Sequence, residues 1–564
     1  MSGRGGSARE GALVDASGAP IKAADIARVK VRAMLDGGGP GFGGAPGGDN
    51  GWGGQPWAYD AQAWSSQDFG EWFPYVRSPD AEINVDLDRV VARIRDLVRN
   101  DGWATGVIAT IADAAVGANF SPQPEPNFAV LQRIDPRMDA AWAEEFAAAA
   151  EAEWDLWAND PGFWADGARL MTVTELMRLA FVHEIRDGDA LAVMLWDADS
   201  VRPGAAHYAT RLQLIDPDRM SNPDEMLDMA RMRGGVEIDE LGAPVAYWLR
   251  RAEPNGFFDA ASSMIWDRFP RETGWGRPIV VHSCERERAG QHRGNGVLMS
   301  VVSRFKMLNR YDQVSLQRAV LQALIGVFVK SPYDAELVQN ALGGEVSTYQ
   351  ELRKLDSQEN PPMLLGGLRI PKLFPGESID SIKSDSSMSE FENFEQAVLR
   401  SVAAATGTTA AEVSRDYSRT NYSSARAAML SAWKTLIRRR RNFEGRFAAP
   451  VYAAWLEEAA DRGRVPLPKG APAFDAWRGA YARCEWIGPG RGWVDPVKER
   501  QGEMLALDGR FGSLKRVCAE VMGVSWRKIL QQQAAEIAEM KRLGIPLPLW
   551  AGGATPAVKV ARPL

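Results

Sequence analysis

The histidines are the first side chains of this sequence to consider for acid–base or metal chemistry. His183-Glu184 lacks the second histidine that a zinc-protease helix requires. The others lie near predicted strands or beside a charged turn, and a lone histidine in such a place is more often structural than catalytic. The four histidines are His183, His207, His282 and His292. They form no pattern that indicates catalysis.

Nucleophile and nucleotide motifs give the same result. No Gly-x-Ser-x-Gly elbow stands between a predicted strand and a helix, and the Gly-x-x-x-x-Gly-Lys-Ser/Thr phosphate loop does not occur. Carboxylate pairs such as Glu237/Asp239 and Glu285/Glu287 are expected without a function among 73 acidic residues. The sequence therefore predicts no enzyme, no metal and no cofactor. Because the sequence lacks a nucleotide-binding loop, we expect another protein to supply the energy for any movement of a ligand.

Composition sets the class of protein. A chain of 564 residues exceeds what one core supports, so two to four structural units are expected. The net charge of −7 argues against a tight DNA binder. By itself this charge favours an acidic cytosolic protein with no nucleic-acid role, and it is also compatible with a surface that DNA passes without sticking. The sequence shows no secretory signal, membrane span or disulfide pattern, with its cysteines at Cys284, Cys484 and Cys518. We expect a protein made in cytoplasm-like conditions, without a membrane partner.

Helical periodicity dominates the elements that would position any site. Residues 1–57 are Gly-rich and predicted to be a flexible arm, with one short helix near 21–34. Apolar residues at intervals of three and four predict many helices after it. These are 86–98, 103–116 (ended by Gly117), 138–158, 172–183, 297–330, 389–406, 422–460, 496–507, 514–522 and 525–542.

Alternating patterns and turn residues predict strands between the helices. Asp187-Gly188-Asp189 leads into the first strand, and Leu241-Gly242-Ala243 is the predicted turn of a hairpin. The predicted strands are 190–195, 211–215, 235–240, 244–250, 278–283, 363–365 and 368–373. Residues 407–419 are predicted to be a polar loop between two helices.

Several blocks of the sequence, taken together, resemble the lambda-type family of phage portal proteins. The most specific is RDYSRTNYSSAR at 415–426, followed by a long helix. Further blocks agree in the same order over roughly residues 60 to 545. They are RIRDLVRNDGWATGVI at 93–108, RDGDA at 186–190, LQLIDPDRM at 212–220, GGVEIDELGAPVAYWL at 234–249, ERERAGQHRG at 285–294, LFPGESI at 373–379 and VDPVKERQ at 494–501.

The resemblance implies an α+β portal fold: a mainly helical wing, stem and crown, with small β-rich portions in the wing and clip. It implies a ring, usually a dodecamer, that surrounds a channel for double-stranded DNA at one capsid vertex. The implied partners are the large terminase ATPase, the major capsid and scaffolding proteins and the head–tail connector proteins. DNA would be bound weakly and without sequence specificity, in a virion component assembled in the host cytoplasm.

The same resemblance implies a division of the chain. Its parts are a flexible arm (1–57), a wing (58–330), a stem and clip region (331–406), a tunnel-facing loop (407–420), a long helix with wing return (421–490), a crown (491–545) and a frayed tail (546–564).

Candidate site residues lie in and after the tunnel-facing loop. Its arginines could meet phosphates or pair with acidic residues of a neighbouring subunit. Asn421 or Ser423 could cap the following helix or contact DNA. The loop candidates are Arg415, Asp416, Tyr417, Arg419, Asn421, Tyr422 and Arg426. A second candidate is a basic helix face, made of Arg438, Arg439, Arg440 and Arg441. Such a run is typical of a solvated face, and a channel or interface role is the alternative.

Two other functions remain open at this point. One is a head-assembly protein without a channel. The other is a hydrolase whose acidic residues and 20 tryptophans form a carbohydrate cleft. Because many tryptophans share helical stripes with other apolar residues, the pattern favours core packing for them.

Overall fold

A computed structural model describes residues 74–254, 256, 259–324, 328–330, 355, 363–365, 368–370, 378–380, 388–418, 421–491 and 495–548. The chain divides into two compact units, Met1–Val76 and Arg77–Leu564, and the description below concerns the second. The predicted arm at 1–57 and most of the predicted stem and clip region lie outside the described residues. The proposed domain boundaries remain predictions.

Helices make up most of the described chain. Their bounds are α1 (Pro79–Ile83), α2 (Leu87–Asn100), α3 (Gly102–Ala115), α4 (Phe128–Leu131), α5 (Ala140–Ala158), α6 (Val173–Asp187), α7 (Val302–Leu324), α8 (Met388–Thr406), α9 (Ala410–Ser414), α10 (Tyr422–Phe443), α11 (Ala449–Asp461), α12 (Arg478–Tyr481), α13 (Pro496–Asp508), α14 (Leu514–Val517) and α15 (Trp526–Leu543). The predicted short helix near 21–34 lies outside the described residues. The other predicted helices are confirmed, apart from the end of α7, because residues 328–330 form a strand.

Local capping explains where the central helices begin and end. The Asp101 side chain accepts a hydrogen bond from the backbone N–H of Ala104 at the start of α3. At α6, Thr172 and Glu175 form a reciprocal capping box. Gly188 ends α6 with a φ of 101°, a conformation that favours glycine. The chain therefore turns sharply from α6 into the first central strand.

The strands form small antiparallel sheets. They are β1 (Ser121–Pro124), β2 (Asp189–Trp196), β3 (Thr210–Ile215), β4 (Met232–Arg233), β5 (Val236–Ile238), β6 (Pro244–Arg250), β7 (Trp266–Pro270), β8 (Val280–Cys284), β9 (Phe328–Lys330), β10 (Met363–Leu365), β11 (Leu368–Ile370), β12 (Ser378–Asp380) and β13 (Cys484–Ile487). The sheet orders are β3-β2-β8, β4-β5-β6-β7, β1-β13, β10-β11 and β9-β12.

The predicted hairpin is present as β5 and β6. In its turn, the Asp239 carboxylate accepts hydrogen bonds from the backbone N–H groups of Leu241 and Ala243. Strand β7 was missed, because WDRFP mixes charge, aromatics and proline without alternation. Helices and small sheets in one unit confirm the α+β class.

One large apolar cluster holds the helices and the β3-β2-β8 sheet together. Trp154 lies at its centre, with ring centroids 5.2 Å from Trp455 and 5.8 Å from Trp486. Core packing of tryptophan is therefore confirmed for this group. Core packing does not hold for three other tryptophans, which are exposed to solvent: Trp196, Trp275 and Trp477.

The helices α10 and α11 form one continuous rod. A single π-helical segment, Glu444–Ala448, joins them, so residues 422–461 run without a turn. The predicted long helix over 422–460 is therefore confirmed. At the α11 end, the buried Glu458 carboxylate accepts hydrogen bonds from the backbone N–H groups of Ala209 and Thr210. This contact ties the rod to β3. Among the described residues, no helix is long and apolar enough to cross a membrane.

Candidate channel loop and basic helix

The candidate loop begins where α8 ends, and that end is fixed to α10. Gly407 has a φ of 72°. A Cβ on it would lie 2.6 Å from Cγ2 of Thr435. Beside it, Nη1 of Arg439 donates to the carbonyl oxygen of Thr406 at 2.6 Å. The loop therefore starts from a rigid junction between two helices.

The predicted loop over 407–419 is interrupted by the short helix α9, so that part of the prediction was wrong. Thr409 and Glu412 form a capping box: the Thr409 hydroxyl accepts from the Glu412 N–H, and the Glu412 carboxylate accepts from the Thr409 N–H. Val413 is buried in the main core. The sequence contains the capping-box pattern Thr-x-x-Glu at this point, but the prediction of a loop did not take it into account.

After α9, the loop candidates lie at the surface. Arg415 is a non-glycine residue with a φ of 56°, and its Nη2 donates to Oγ1 of Thr110 on α3 at 2.9 Å. The Asp416 carboxylate accepts from the backbone N–H of Ser418. Tyr417 is more than half exposed. This stretch therefore presents an arginine, an aspartate and a tyrosine to solvent within three residues.

The remaining loop candidates divide between capping, pairing and undescribed positions. Asn421 caps α10, since its Oδ1 accepts from the backbone N–H of Ser424 at 2.8 Å. Nη2 of Arg426 lies 3.7 Å from Oε1 of Glu499, so this arginine has an acidic neighbour within its own chain. Arg419 lies outside the described residues, as does the side chain of Tyr422.

The four consecutive arginines of α10 do not share one face, because successive helical residues are rotated by about 100°. Arg438 and Arg441 are exposed, as expected of a solvated face. Arg438 pairs with Glu285. Arg439 and Arg440 are buried, so the predicted solvated face is wrong for these two. Burial lowers the pKa of both guanidinium groups.

The buried Arg440 side chain binds backbone carbonyl groups of other elements. Its Nε donates to the carbonyl oxygen of Ala115 at 2.5 Å, and its Nη2 donates to those of Ala114 and Pro489 at 3.0 Å. Two of these carbonyls lie at the C-terminus of α3, where the helix dipole favours a cation. The guanidinium also lies 5.4 Å from the ring centroid of Trp433. Arg440 thus caps α3.

Sequence reasoning missed an acidic residue that lies beside the candidate helix. Glu499, on α13, lies 3.7 Å from both Arg426 and Arg491, and its side chain is almost fully buried. A groove of about 240 Å³ opens there, lined by Met429, Leu430 and Trp433 on α10 among others. Glu499 lies in the block VDPVKERQ at 494–501, so the resemblance marked its region. The sequence could not show what Glu499 pairs with, because its partners lie on other elements.

A second cluster, here called the glycine–arginine knot, joins residues 186–190 to residues 291–294. Nε of Arg293 donates to Oδ2 of the buried Asp189, and Nη1 donates to the carbonyls of Met220 and Gly234. A Cβ on Gly294 would lie 1.9 Å from the carbonyl oxygen of Gly188. Two blocks of the sequence therefore meet in one place.

Histidine and glutamine complete the knot. His292 Nδ1 lies 2.8 Å from Asp80 Oδ2, and Nε2 lies 2.9 Å from the carbonyl oxygen of Gly242. The hydrogen bond with Asp80 raises the pKa of His292. Gln291 accepts from the N–H groups of Glu287 and Arg288. Each side chain of the Gln-His-Arg sequence thus holds a different piece of backbone or a carboxylate.

Within the described ranges, one group of potential metal ligands lies at the knot: Asp189 of the knot with His282 and Cys284 on β8. Oδ1 of Asp189 lies 2.9 Å from Nε2 of His282 and accepts from the Gly294 N–H, while Oδ2 accepts from Arg293. Both carboxylate oxygens are therefore in use, and Arg293 already neutralises their charge. The donor set fits a structural network better than a metal site.

Comparison with known proteins adds a family match. The family model described as "Phage portal protein, lambda family" matches residues 65–440. The chain is 30% identical to portal protein B of Escherichia phage lambda, over 91% of this chain and 93% of that one. It is also 30% identical to the portal protein of Escherichia phage N15, over 86% and 90%. A solved chain from "Virion of native gene transfer agent (GTA) particle" is 16% identical, with a TM-score of 0.41, over 76% and 92%.

Proposed function

The chain belongs to the lambda family of phage portal proteins, and from this premise we propose that its copies close into a ring around a channel for double-stranded DNA. The observation that carries the proposal is coverage: the family match spans residues 65–440, and the 30% identity extends over 91% of the chain. Members of this family are structural components of the virion, at the capsid. We propose that this ring forms one capsid vertex and serves genome packaging, retention and ejection.

The proposed partners follow from that role. The ring, a dodecamer, is built in the host cytoplasm with the major capsid and scaffolding proteins. It docks the terminase ATPase during packaging and the head–tail connector afterwards. The lack of a phosphate-loop motif in this sequence supports a division of labour, in which the terminase supplies the energy and the ring supplies the passage.

The candidate loop supports a weak and sequence-independent contact with DNA. Arg415, Asp416 and Tyr417 present both signs of charge and one aromatic ring, on a stretch bounded by two helices. A single arginine near the phosphates fixes position without reading bases. The carboxylate beside it limits how strongly the duplex is held. A net charge of −7 fits a bore that DNA crosses without lodging.

Mass measurement and negative-stain imaging of the purified chain test the ring. We expect a closed assembly with an axial hole and a single dominant subunit number. Spherical shells or filaments would favour a head-assembly protein without a channel. A chain that stays a single subunit at high concentration and also within particles would contradict the proposal.

A packaging assay tests the loop separately. We expect Arg415→Ala combined with Arg419→Ala to reduce packaged or retained DNA while rings still form. Arg133→Ala combined with Arg202→Ala is the matched control, because it removes two exposed arginines that belong to neither candidate set. If the double variant packages and retains DNA like the parent, the loop assignment is wrong while the ring stands.

A further inference from the structure

Three exposed tryptophans lie beside one enclosed network of charged side chains. Trp196 is 58% exposed, Trp275 56% and Trp477 40%, whereas every other tryptophan in the described ranges is buried or half-buried. An indole ring carries a large apolar area, so leaving it in water is unfavourable. Exposed tryptophans that share one surface therefore indicate a contact with another molecule.

The charged network consists of Arg277, Glu457 and Arg478. Nη1 of Arg277 lies 3.9 Å from Oε2 of Glu457, and Nη2 of Arg478 lies 3.2 Å from the same oxygen. Arg277 also donates to the carbonyl oxygen of Ala454 and to Oγ1 of Thr210, each at 2.8 Å. The three charged side chains are between 10% and 19% exposed, so their positions are fixed by the surrounding structure.

Two of the exposed tryptophans contact this network directly. Nε1 of Trp275 donates to Oε1 of Glu457 at 2.8 Å. The guanidinium carbon of Arg277 lies 5.1 Å from the ring centroid of Trp196, within the range of a cation–π interaction. Both rings are therefore held in place before any partner arrives, which lowers the entropy lost on binding.

The third tryptophan lies next to the network along the chain. Trp477 directly precedes Arg478, which donates from Nη2 to the carbonyl oxygen of Trp275 at 3.3 Å and from Nη1 to that of Gly276. Gly276 has a φ of 82°, and a Cβ on it would lie 2.9 Å from Nη1 of Arg478. Glycine here lets the two tryptophan-bearing segments approach each other. We call Trp196, Trp275 and Trp477 the tryptophan patch.

An exposed carboxylate lies beside the patch. Asp461 is four residues after Glu457 on α11, so the two side chains share one face of the helix. Within the described ranges, the Asp461 carboxylate has no hydrogen bond or ion pair. Partial burial and the nearby Glu457 carboxylate raise the pKa of Asp461. The arginines of the network already share Glu457, so a cation supplied from outside would be favourable at Asp461.

We propose that the tryptophan patch and Asp461 bind a basic segment of a partner protein, with an arginine or lysine side chain held by the indole rings and the carboxylate. Cations bind over the faces of tryptophan rings, and a carboxylate pairs with the same groups. Tryptophan and arginine are also enriched at the centres of protein interfaces. The carboxylate repels phosphate, so DNA is not the expected occupant. This contact goes beyond the proposed ring and does not depend on it.

A labelled peptide tests whether a cation is required. The probe is a fluorescein-labelled peptide of alternating arginine and glycine, and its control carries citrulline, an uncharged isostere, in place of each arginine. We expect fluorescence anisotropy with the full chain to show that the citrulline peptide binds about fivefold more weakly or worse, because it loses the cation–π and carboxylate contacts. Equal binding of the two peptides would contradict the proposal.

Substitutions test whether the peptide binds at the patch. Asp461→Asn, and separately Trp196→Ala combined with Trp477→Ala, should each weaken binding of the arginine peptide about fivefold or more. Glu145→Gln is the matched control for the carboxylate, because it neutralises an exposed side chain of α5 outside the patch. Leu241→Ala removes a side chain that is 95% exposed elsewhere. If Asp461→Asn and Glu145→Gln bind the peptide equally, the assignment of the site is wrong.

Hydroxyl-radical oxidation followed by mass spectrometry locates the contact in the unsubstituted chain. We expect the arginine peptide to protect the three rings of the tryptophan patch, and the citrulline peptide to protect them less. Phe511, which is 87% exposed, should be oxidised equally with and without the peptide. Oxidation of the patch that the arginine peptide does not change would overturn the proposal. So would protection in the assembled chain before peptide is added, because another copy of the chain would then be the occupant.

Discussion

The glycine–arginine knot and the candidate loop contain the same residue types, but the knot encloses them and the loop exposes them. Both are rich in arginine, aspartate and glycine or serine, and both interrupt helices. In the knot, Arg293 and Asp189 are buried, and Arg293 also donates to backbone carbonyls. In the loop, Arg415 and Asp416 are exposed. The same residue types build a rigid junction where they are enclosed, and they leave charged side chains exposed to solvent where they are not.

The difference shows what a sequence block can mean. In the blocks QHRG and RDGDA, the polar side chains are held by partners inside the fold. In RDYSRTN, Arg415 bonds to Thr110 and Asn421 caps α10, while Arg415, Asp416 and Tyr417 are exposed to solvent. Enclosed side chains of a block fix the fold, whereas exposed ones can meet a partner, which is the role that we propose for this loop.

Removing the arginine of the knot should have the largest effect on stability. Arg293→Ala leaves the buried Asp189 without its cation and should lower the free energy of unfolding by about 3–5 kcal/mol. Urea unfolding followed by circular dichroism measures it. An Arg293→Ala protein as stable as the parent would remove the contrast between the two regions.

The next largest loss of stability is expected on the basic helix α10. Two neighbouring arginines of this helix, one buried and one exposed, allow the comparison to be made within one element. Arg440→Ala removes three hydrogen bonds to carbonyls at the end of α3 and should cost about 2–3 kcal/mol. Arg441→Ala, its exposed neighbour, should cost less than about 0.5 kcal/mol. Equal losses for the two variants in the same urea titration would show that Arg440 is not the cap described here.

Rising pH should weaken the knot and spare the loop. Both ring nitrogens of His292 face acceptors, and the hydrogen bond with Asp80 raises the pKa of this histidine. Its folded pKa then exceeds the unfolded value of about 6.5. The contribution is therefore complete below that pH and is lost as pH rises through the folded pKa.

The measurement compares unfolding free energies from pH 6 to pH 9 in the parent and in Asp80→Asn. We expect the parent to lose about 1 kcal/mol more than the variant. Burial raises the pKa of Glu184 to about 7, which also lowers stability as pH rises, but equally in both proteins. Parallel pH profiles would mean that His292 is not held as a cation.

The smallest expected effect on stability belongs to the loop. Arg415→Ala removes one exposed hydrogen bond to Thr110 and should change the free energy of unfolding by less than about 0.5 kcal/mol. Thermal unfolding of the purified variant measures it. A loss comparable to that of Arg440→Ala would place Arg415 among the structural arginines and would count against its proposed role as a contact residue.

Periodicity predicted the helices well because their buried stripes are regular, as in Leu87, Val91, Ile94 and Leu97. It failed at β7, which has a proline and no alternation, and at α9, where a capping box acts within a single turn. Four consecutive arginines in the sequence do not show that Arg439 and Arg440 are the buried ones. Their burial depends on α3 and α8, which lie elsewhere in the sequence.

The pairing of Glu499 with Arg426 illustrates the same limit. The two residues are far apart along the chain and carry no shared motif, so only the packing of α13 on α10 brings them together. Family resemblance predicted that the region around Arg426 is important. It did not predict which acidic residue the arginine meets.

The unbroken rod of α10 and α11 has a mechanical consequence. At about 1.5 Å per residue, residues 422–461 extend roughly 60 Å from the loop to the Glu458 anchor on β3. Because no loop interrupts these residues, a load applied at the loop would be transmitted as compression along the helix axis. The π-helical segment Glu444–Ala448 is the point at which the rod would bend first.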